Sequence, residues 1–147
     1  MVISQGNPGS SAVALRSKGL RATVPRQAVL QEFITHGGHW SADGLLLQLQ
    51  QSGRQAARTT VYYVLADLAK SGILSEVRVN AGALRYEIKP SQPHDHFVCR
   101  QCESIIDVPA TDEPGSLAWP VRAGLCDSVD VVYRGICNDC RANGSGR

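Results

Sequence analysis

Apolar residues recur at helical spacing in the first half of this chain, and the period then switches to that of strands. Residues 1–10 (MVISQGNPGS) carry no apolar period and are rich in Gly, Ser, Asn and Pro, which reads as a mobile tail. A short helix is predicted from Ser11 to Lys18, closed by Gly19. Pro25 suits the first turn of a second helix, whose Val29, Leu30, Phe33 and Ile34 share a face until Gly37 and Gly38 stop it. Ser41 is placed to cap a third helix carrying Leu45, Leu46 and Leu49, ending near Gly53. A fourth helix is predicted from Gln55 to Ser71, closed by Gly72, with Val61, Val64, Leu65 and Leu68 turned inward. Ile73 to Val79 and Leu84 to Ile88 then alternate on either side of an Asn80-Ala81-Gly82 turn, the signature of a hairpin.

Three helices followed by a two-stranded hairpin is the order of a winged helix-turn-helix; a small helical domain with an incidental hairpin is the plainer reading. The outward face of the fourth helix separates the two. It carries Gln55, Thr59, Tyr62, Tyr63 and Ala66, with Arg58 at its edge, so polar groups and two phenol rings point away from the core. Lys89-Pro90-Ser91-Gln92-Pro93 follows as a stiff linker. Beyond it, His96 to Val98 and Ile105 to Val108 read as strands, and Val129, Val131 and Tyr133 as a third. Pro109, Pro114, Gly115, Pro120 and Gly124 leave room for at most one short turn around Ser116 to Trp119. The expected fold is α+β: tail 1–10, winged helix-turn-helix domain 11–89, linker 90–93, a small α/β domain 94–141 and a tail 142–147.

Charge sharpens this division. The net charge is only +2, but before position 90 ten basic residues face five acids, +5, whereas five basic residues face eight acids in the rest, −3. A basic half suits a polyanion, although scattered surface charge would also produce it. No apolar run approaches the roughly 20 residues needed to cross a bilayer. Five cysteines, an odd number, and no charged-then-apolar leader argue for a soluble protein of the reducing cytoplasm.

Four of those cysteines form Cys99-x-x-Cys102 and Cys137-x-x-Cys140, separated by 34 residues. Each pair turns two sulfurs toward one point, and two pairs complete the tetrahedral thiolate set of a structural zinc; a redox dithiol is the competing reading. The third strand would deliver the second pair. Cys126 stands outside both and reads as a small buried apolar residue. Just before the first pair lies His94-Asp95-His96, with Glu87 upstream and Asp107 downstream. On a strand the two imidazoles point the same way, so they can share a metal, and a set without thiolates suits Fe(II), Mn(II) or Zn(II). His39 is a further candidate ligand, while His36 has no such context.

Together these residues resemble the ferric uptake regulator family, over nearly the whole chain from about Leu15 to Cys140. Gly19-Leu20-Arg21-Ala22-Thr23-Val24-Pro25-Arg26 is similar to the family's opening segment, and Thr60-Val61-Tyr62 to its recognition-helix signature. His94-Asp95-His96-Phe97-Val98-Cys99-Arg100-Gln101-Cys102 is similar to its metal motif. The resemblance implies a winged-helix DNA-binding domain, a dimerisation domain, and a homodimer binding an AT-rich inverted repeat in duplex DNA when its regulatory metal is present. It implies zinc on Cys99, Cys102, Cys137 and Cys140, and a regulatory site of Fe2+ or Mn2+, with Zn2+ as another occupant, on His39, Glu87, His94, His96 and Asp107. Tyr62 would reach base edges with Thr59, Tyr63 and Arg58 alongside, and Arg21 would reach phosphate or the minor groove.

Two departures narrow the expectation. Pro93 and Val129 stand where a further histidine-rich metal site of many members would take ligands, so that site is not expected, and the helix between the cysteine pairs is interrupted. Both departures, and Asp107 in place of Glu, look like the peroxide- and iron-responsive, catalase-associated branch. The expected function is thus a metal-dependent repressor responding to iron and peroxide. An iron- or zinc-uptake regulator without peroxide chemistry is the alternative, and a zinc-ribbon protein-interaction module the alternative from another class. An enzyme is not expected: four cysteines complete the zinc coordination, and the His-x-Glu with Pro-Cys-x-x-Cys of a zinc deaminase is absent.

Overall fold

The amphipathic stripes fold against one another. Leu15, Val29, Leu30, Phe33, Leu45, Leu49, Val61, Leu65 and Leu68 are all at most 1% exposed and form one core. They lie on α1 (Ser10–Ser17), α2 (Val24–His36), α3 (Ala42–Gln51) and α4 (Arg58–Lys70). The computed structural model describes residues 9–80, 83–110 and 130–144. The chain divides into two units, Met1–Ser91 and Gln92–Arg147.

In the first unit, Pro25 stands in the opening turn of α2, and the Ser41 hydroxyl accepts the Gly44 N–H at 3.0 Å to cap α3. At the end of α4 the chain turns through Gly72 at φ +72°, which lets the Ile73 N–H reach the Leu68 carbonyl at 3.0 Å and aims the backbone into the sheet. That sheet is the antiparallel hairpin of β1 (Leu74–Asn80) and β2 (Ala83–Ile88), in register Leu74↔Ile88 to Val77↔Arg85. On β1, Leu74, Val77 and Val79 are buried, while Glu76, Arg78 and Asn80 are exposed. Outside the hairpin, Trp40 and Tyr86 exchange both backbone hydrogen bonds at 2.9 Å, tying the loop before α3 to β2.

The second unit is a three-stranded sheet of order β4-β3-β5, with β3 (His94–Cys99) in the middle. It pairs antiparallel with β4 (Ile105–Pro109) and parallel with β5 (Val132–Gly135). Gly135 lies opposite Cys99, and a Cβ there would stand 2.9 Å from the Phe97 ring, so glycine lets β5 run this close without displacing that ring. A short helix, α5 (Asn138–Gly144), follows.

The structure shifts several sequence expectations. α4 begins at Arg58, not Gln55, because the N–H of Arg54 is still closing α3 on the Leu49 carbonyl at 2.9 Å and Ala57 is extended as the N-cap. Gln55 therefore leaves the α4 face. β3 starts at His94, not His96, since its first residue already pairs with Pro109. The second cysteine pair is not carried on a strand: Cys137 follows β5 and Cys140 lies in α5. That helix had no apolar period to announce it, and it extends into the stretch 142–147 read as a tail. Residues 1–8 of the expected N-terminal tail, the Ala81-Gly82 turn, the turn at Ser116 to Trp119, Cys126 and Val129 lie outside the described residues. Among the described residues no helix is long and apolar enough to cross a membrane.

Candidate metal centres and nucleic-acid interface

The sulfurs of Cys99, Cys102, Cys137 and Cys140 gather within 4.8 Å of one another. Their geometry follows from the strands. β3 ends at Cys99, the chain reverses through residues 100–104 with Glu103 at φ 58°, and the Cys99 N–H returns to the Ser104 carbonyl at 3.0 Å. β5, held beside β3, brings Cys137 to the same end of the sheet. Cys102 Sγ lies 3.8 Å from Cys137 Sγ, which matches the edge of about 3.8 Å in a tetrahedron with Zn–S near 2.3 Å.

The surroundings favour thiolates. The Cys99 sulfur accepts the N–H of Cys137 at 3.3 Å and of Gln101 at 3.4 Å. Backbone N–H donation from Cys137, then from Cys102, holds its thiol down to about 6. Cys102 is pulled down first by the Ser104 hydroxyl, 3.1 Å from its sulfur. Cys140 is pushed up to about 12 by the neighbouring sulfurs of Cys137 and Cys102. Four sulfurs this close do not all ionise on their own account; a dication is what lets them. The donor set therefore fits zinc.

The second ligand set is found as two groups, one in each unit. In the second unit, β3 points His94 and His96 to one side while Asp95 is buried on the other, 3.3 Å from the Tyr133 hydroxyl. The His94 and His96 Nε2 atoms are 3.1 Å apart. Asp107, the direct β4 partner of His96, brings Oδ1 to 3.9 Å from His96 Nε2 and 3.6 Å from His94 Nε2. Two nitrogens on one ion at about 2.1 Å lie about 3.0–3.4 Å apart, so the imidazole pair is spaced for a shared metal. In the first unit the Trp40–Tyr86 bridge makes His39 and Glu87 cross-strand neighbours, with His39 Nε2 at 3.1 Å from Glu87 Oε2 and both side chains under 10% exposed. His36 has a different role: it lies 3.3 Å from Glu32, a buried carboxylate that also binds Arg54 at 2.6 Å.

α4 presents the candidate nucleic-acid face. Arg58, Thr59, Tyr62, Tyr63 and Ala66 are all exposed, Tyr63 at 76% against 44% for Tyr62, above the buried Val61, Val64, Leu65 and Leu68. Arg58 lies over the Tyr62 ring at 5.7 Å and is paired with Asp43 at 3.0 Å. Its pKa is raised, chiefly by the Tyr62 side chain and then by Asp43. Arg21 is exposed on the connection between α1 and α2, where its carbonyl accepts from Arg26 at 3.2 Å. No sequence pattern singles out Asp43 or Ser104. Asp43 reads as an ordinary first-turn acid two residues after the cap, and nothing in the pattern tied Ser104 to Cys102.

A winged-helix unit joined to a sheet unit with a thiolate centre and further metal donors defines a metal-dependent transcriptional regulator, not an enzyme. The chain belongs to the ferric uptake regulator family, whose model matches residues 17–113. It is 31% identical over 138 residues to the transcriptional regulator FurA of Mycobacterium tuberculosis, covering 92% of this chain and 93% of that protein. It is 30% identical over 141 residues to the ferric uptake regulation protein of Neisseria meningitidis, covering 92% and 96%. Its fold is similar to that of the ferric uptake regulator from Francisella tularensis with iron, at a TM-score of 0.72 and 25% identity over 84% of this chain and 96% of that one.

Proposed function

We propose that this protein is an iron- and peroxide-responsive repressor whose homodimer binds an AT-rich inverted repeat when one regulatory ion takes ligands from His39, Glu87, His94, His96 and Asp107. The observation that carries this reading is the backbone bridge Trp40↔Tyr86: it sets two metal donors of the DNA-binding unit side by side, His39 from the loop before α3 and Glu87 from the wing. A metal that binds both the wing and the His94/His96/Asp107 group restrains the winged-helix unit. The orientation of α4 then depends on metal occupancy. A coupling free energy of about 1–3 kcal/mol suffices to change operator affinity 5- to 150-fold.

The winged helix-turn-helix domain covers 11–89 and the dimerisation domain 94–141. Dimerisation is supported by the sheet face opposite the imidazoles, where Phe97, Ile106 and Tyr133 stand side by side and the last two are 46% and 43% exposed. A two-fold dimer reads an inverted repeat because each protomer takes one half-site. Thr59, Tyr62, Tyr63 and Arg58 meet bases or their flanks, and Arg21 meets phosphate or the minor groove. Asp107, a short carboxylate opposite His96, supports the peroxide branch. Oxidation of a ligand imidazole by peroxide removes a metal donor and so loosens the restraint.

Anaerobic titration of duplex binding with Fe(II), Mn(II) and Zn(II), before and after peroxide, tests the reading. Peroxide should abolish DNA binding with Fe(II) and spare it with Mn(II). Metal-dependent binding that peroxide leaves intact would instead make this an iron- or zinc-uptake regulator, and absence of duplex binding with every metal would point to a protein-interaction module.

A further inference from the structure

Asp43 is a carboxylate on the face that the proposed function turns toward DNA, where a negative charge opposes the approach of the phosphate backbone. It stands in the first turn of α3, two residues past the Ser41 cap. Its Oδ1 and Oδ2 are 3.0 and 3.1 Å from one Arg58 Nη2, and Oδ1 is 3.5 Å from the Tyr62 hydroxyl. Arg58 in turn covers the Tyr62 ring at 5.7 Å. Asp43 and Arg58 are 60% and 65% exposed, and an ion pair so open to water adds little to stability. Its consequence is geometric. A free arginine on a DNA-facing helix sweeps through many rotamers and settles on the nearest phosphate, a contact that carries no sequence information. Drawn to both carboxylate oxygens and set over the ring beside it, Arg58 favours one direction and still has N–H donors unspent for a base edge.

We propose that Asp43 is a positioning residue that sets operator specificity, aiming Arg58 and Tyr62 at bases while discouraging indiscriminate phosphate binding. This rests on the reading that the α4 face meets duplex DNA. The test uses the full-length protein loaded with Mn(II), a duplex enriched by it from a random pool, and a scrambled duplex of the same composition. Asp43→Asn should bind the scrambled duplex more tightly and lower the preference for the enriched duplex about tenfold, the discrimination carried by a good base contact. With a negative charge gone from the face, its binding should also fall more steeply with salt. Asp43→Glu should restore the preference, and in an Arg58→Ala background Asp43→Asn should leave it unchanged. Equal affinity changes for both duplexes, or a loss of preference that persists without Arg58, would overturn the proposal. If the wild-type protein enriches no duplex, both this proposal and the DNA-binding reading fall; if it does and Asp43→Asn keeps the preference, only the role of Asp43 falls.

Discussion

One strand, β3, begins at a metal-donor group and ends at another, and the two differ in every property that decides how firmly a metal is held. His94 opens the strand and Cys99 closes it, about 16 Å away at the rise of an extended chain. At the Cys99 end four soft donors from one unit converge, and backbone N–H groups already stabilise the thiolates. At the His94 end, two half-buried imidazoles and one exposed carboxylate supply an incomplete, harder set that needs further ligands. A closed thiolate site holds zinc as part of the fold, whereas a mixed nitrogen and oxygen site is tuned to exchange. Six residues of one strand thus separate a staple from a sensor.

The sharpest way to break this contrast is Cys99→Ser. Structural zinc in small domains is worth about 10–16 kcal/mol of apparent binding energy, which here is folding energy of the second unit. Zinc content should fall from one ion per chain to none, and the sheet signal in circular dichroism should go with it. Retention of a folded second unit without zinc would make the thiolate site dispensable.

His96→Ala should have the opposite profile. The protein should keep its zinc and its thermal midpoint, yet lose affinity for the regulatory metal by more than the 10–100-fold that removing an outer partner of a ligand costs, and metal-stimulated duplex binding with it. A moderate chelator should reproduce this phenotype in the wild-type protein, because it empties the exchangeable group before it reaches the thiolates. Simultaneous loss of both metals, followed by elemental analysis during chelation, would show that the two ends of β3 are not independent.

The thiolate end was far more legible in the sequence than its neighbours. Two Cys-x-x-Cys pairs need no fold to be recognised, since each pair is local and four sulfurs complete one coordination sphere. The helices that bury Val29, Leu65 and Leu68 were legible for a similar reason, as their period is written within a few turns. The His39–Glu87 pair was not readable from spacing, because it depends on a single backbone bridge between residues 46 positions apart. Helix α5 was hidden because the Arg141 N–H to Cys137 carbonyl bond at 2.9 Å, not an apolar face, defines its start. Asp43 was not legible because its partners, Arg58 and Tyr62, are supplied by another helix.

Gly135→Ala probes how the second pair of cysteines reaches the first. The new methyl meets the Phe97 ring at 2.9 Å, so either the ring or β5 must move. Overpacking of this kind costs typically about 1–3 kcal/mol. Thermal unfolding of the zinc-loaded variant should show that loss while zinc stoichiometry stays at one, since β5 remains paired with β3 on either side of the site. An unchanged midpoint would mean that Phe97 swings away freely.

The smallest effect is expected at Ser104→Ala, and it tests whether the thiolate end is uniformly closed. Cys99 and Cys137 are buried, but Cys102 is exposed, so it is the corner through which a competing ligand or proton arrives. Its sulfur has the Ser104 hydroxyl 3.1 Å away, and that hydroxyl is the leading reason its thiol pKa is lowered. Without it the Cys102 thiolate takes up a proton at higher pH and leaves zinc more readily. The folded-state pKa is depressed, so the stabilisation is present above the unfolded thiol value and fades as pH falls toward the folded one. Zinc transfer to a chromogenic chelator should therefore quicken by up to about tenfold, the lower end of what outer partners of ligands contribute, with the gap between variant and wild type closing in acid. An equal rate at neutral pH would leave backbone N–H groups, at Cys99 above all, as the whole of what makes this end of β3 hold its metal.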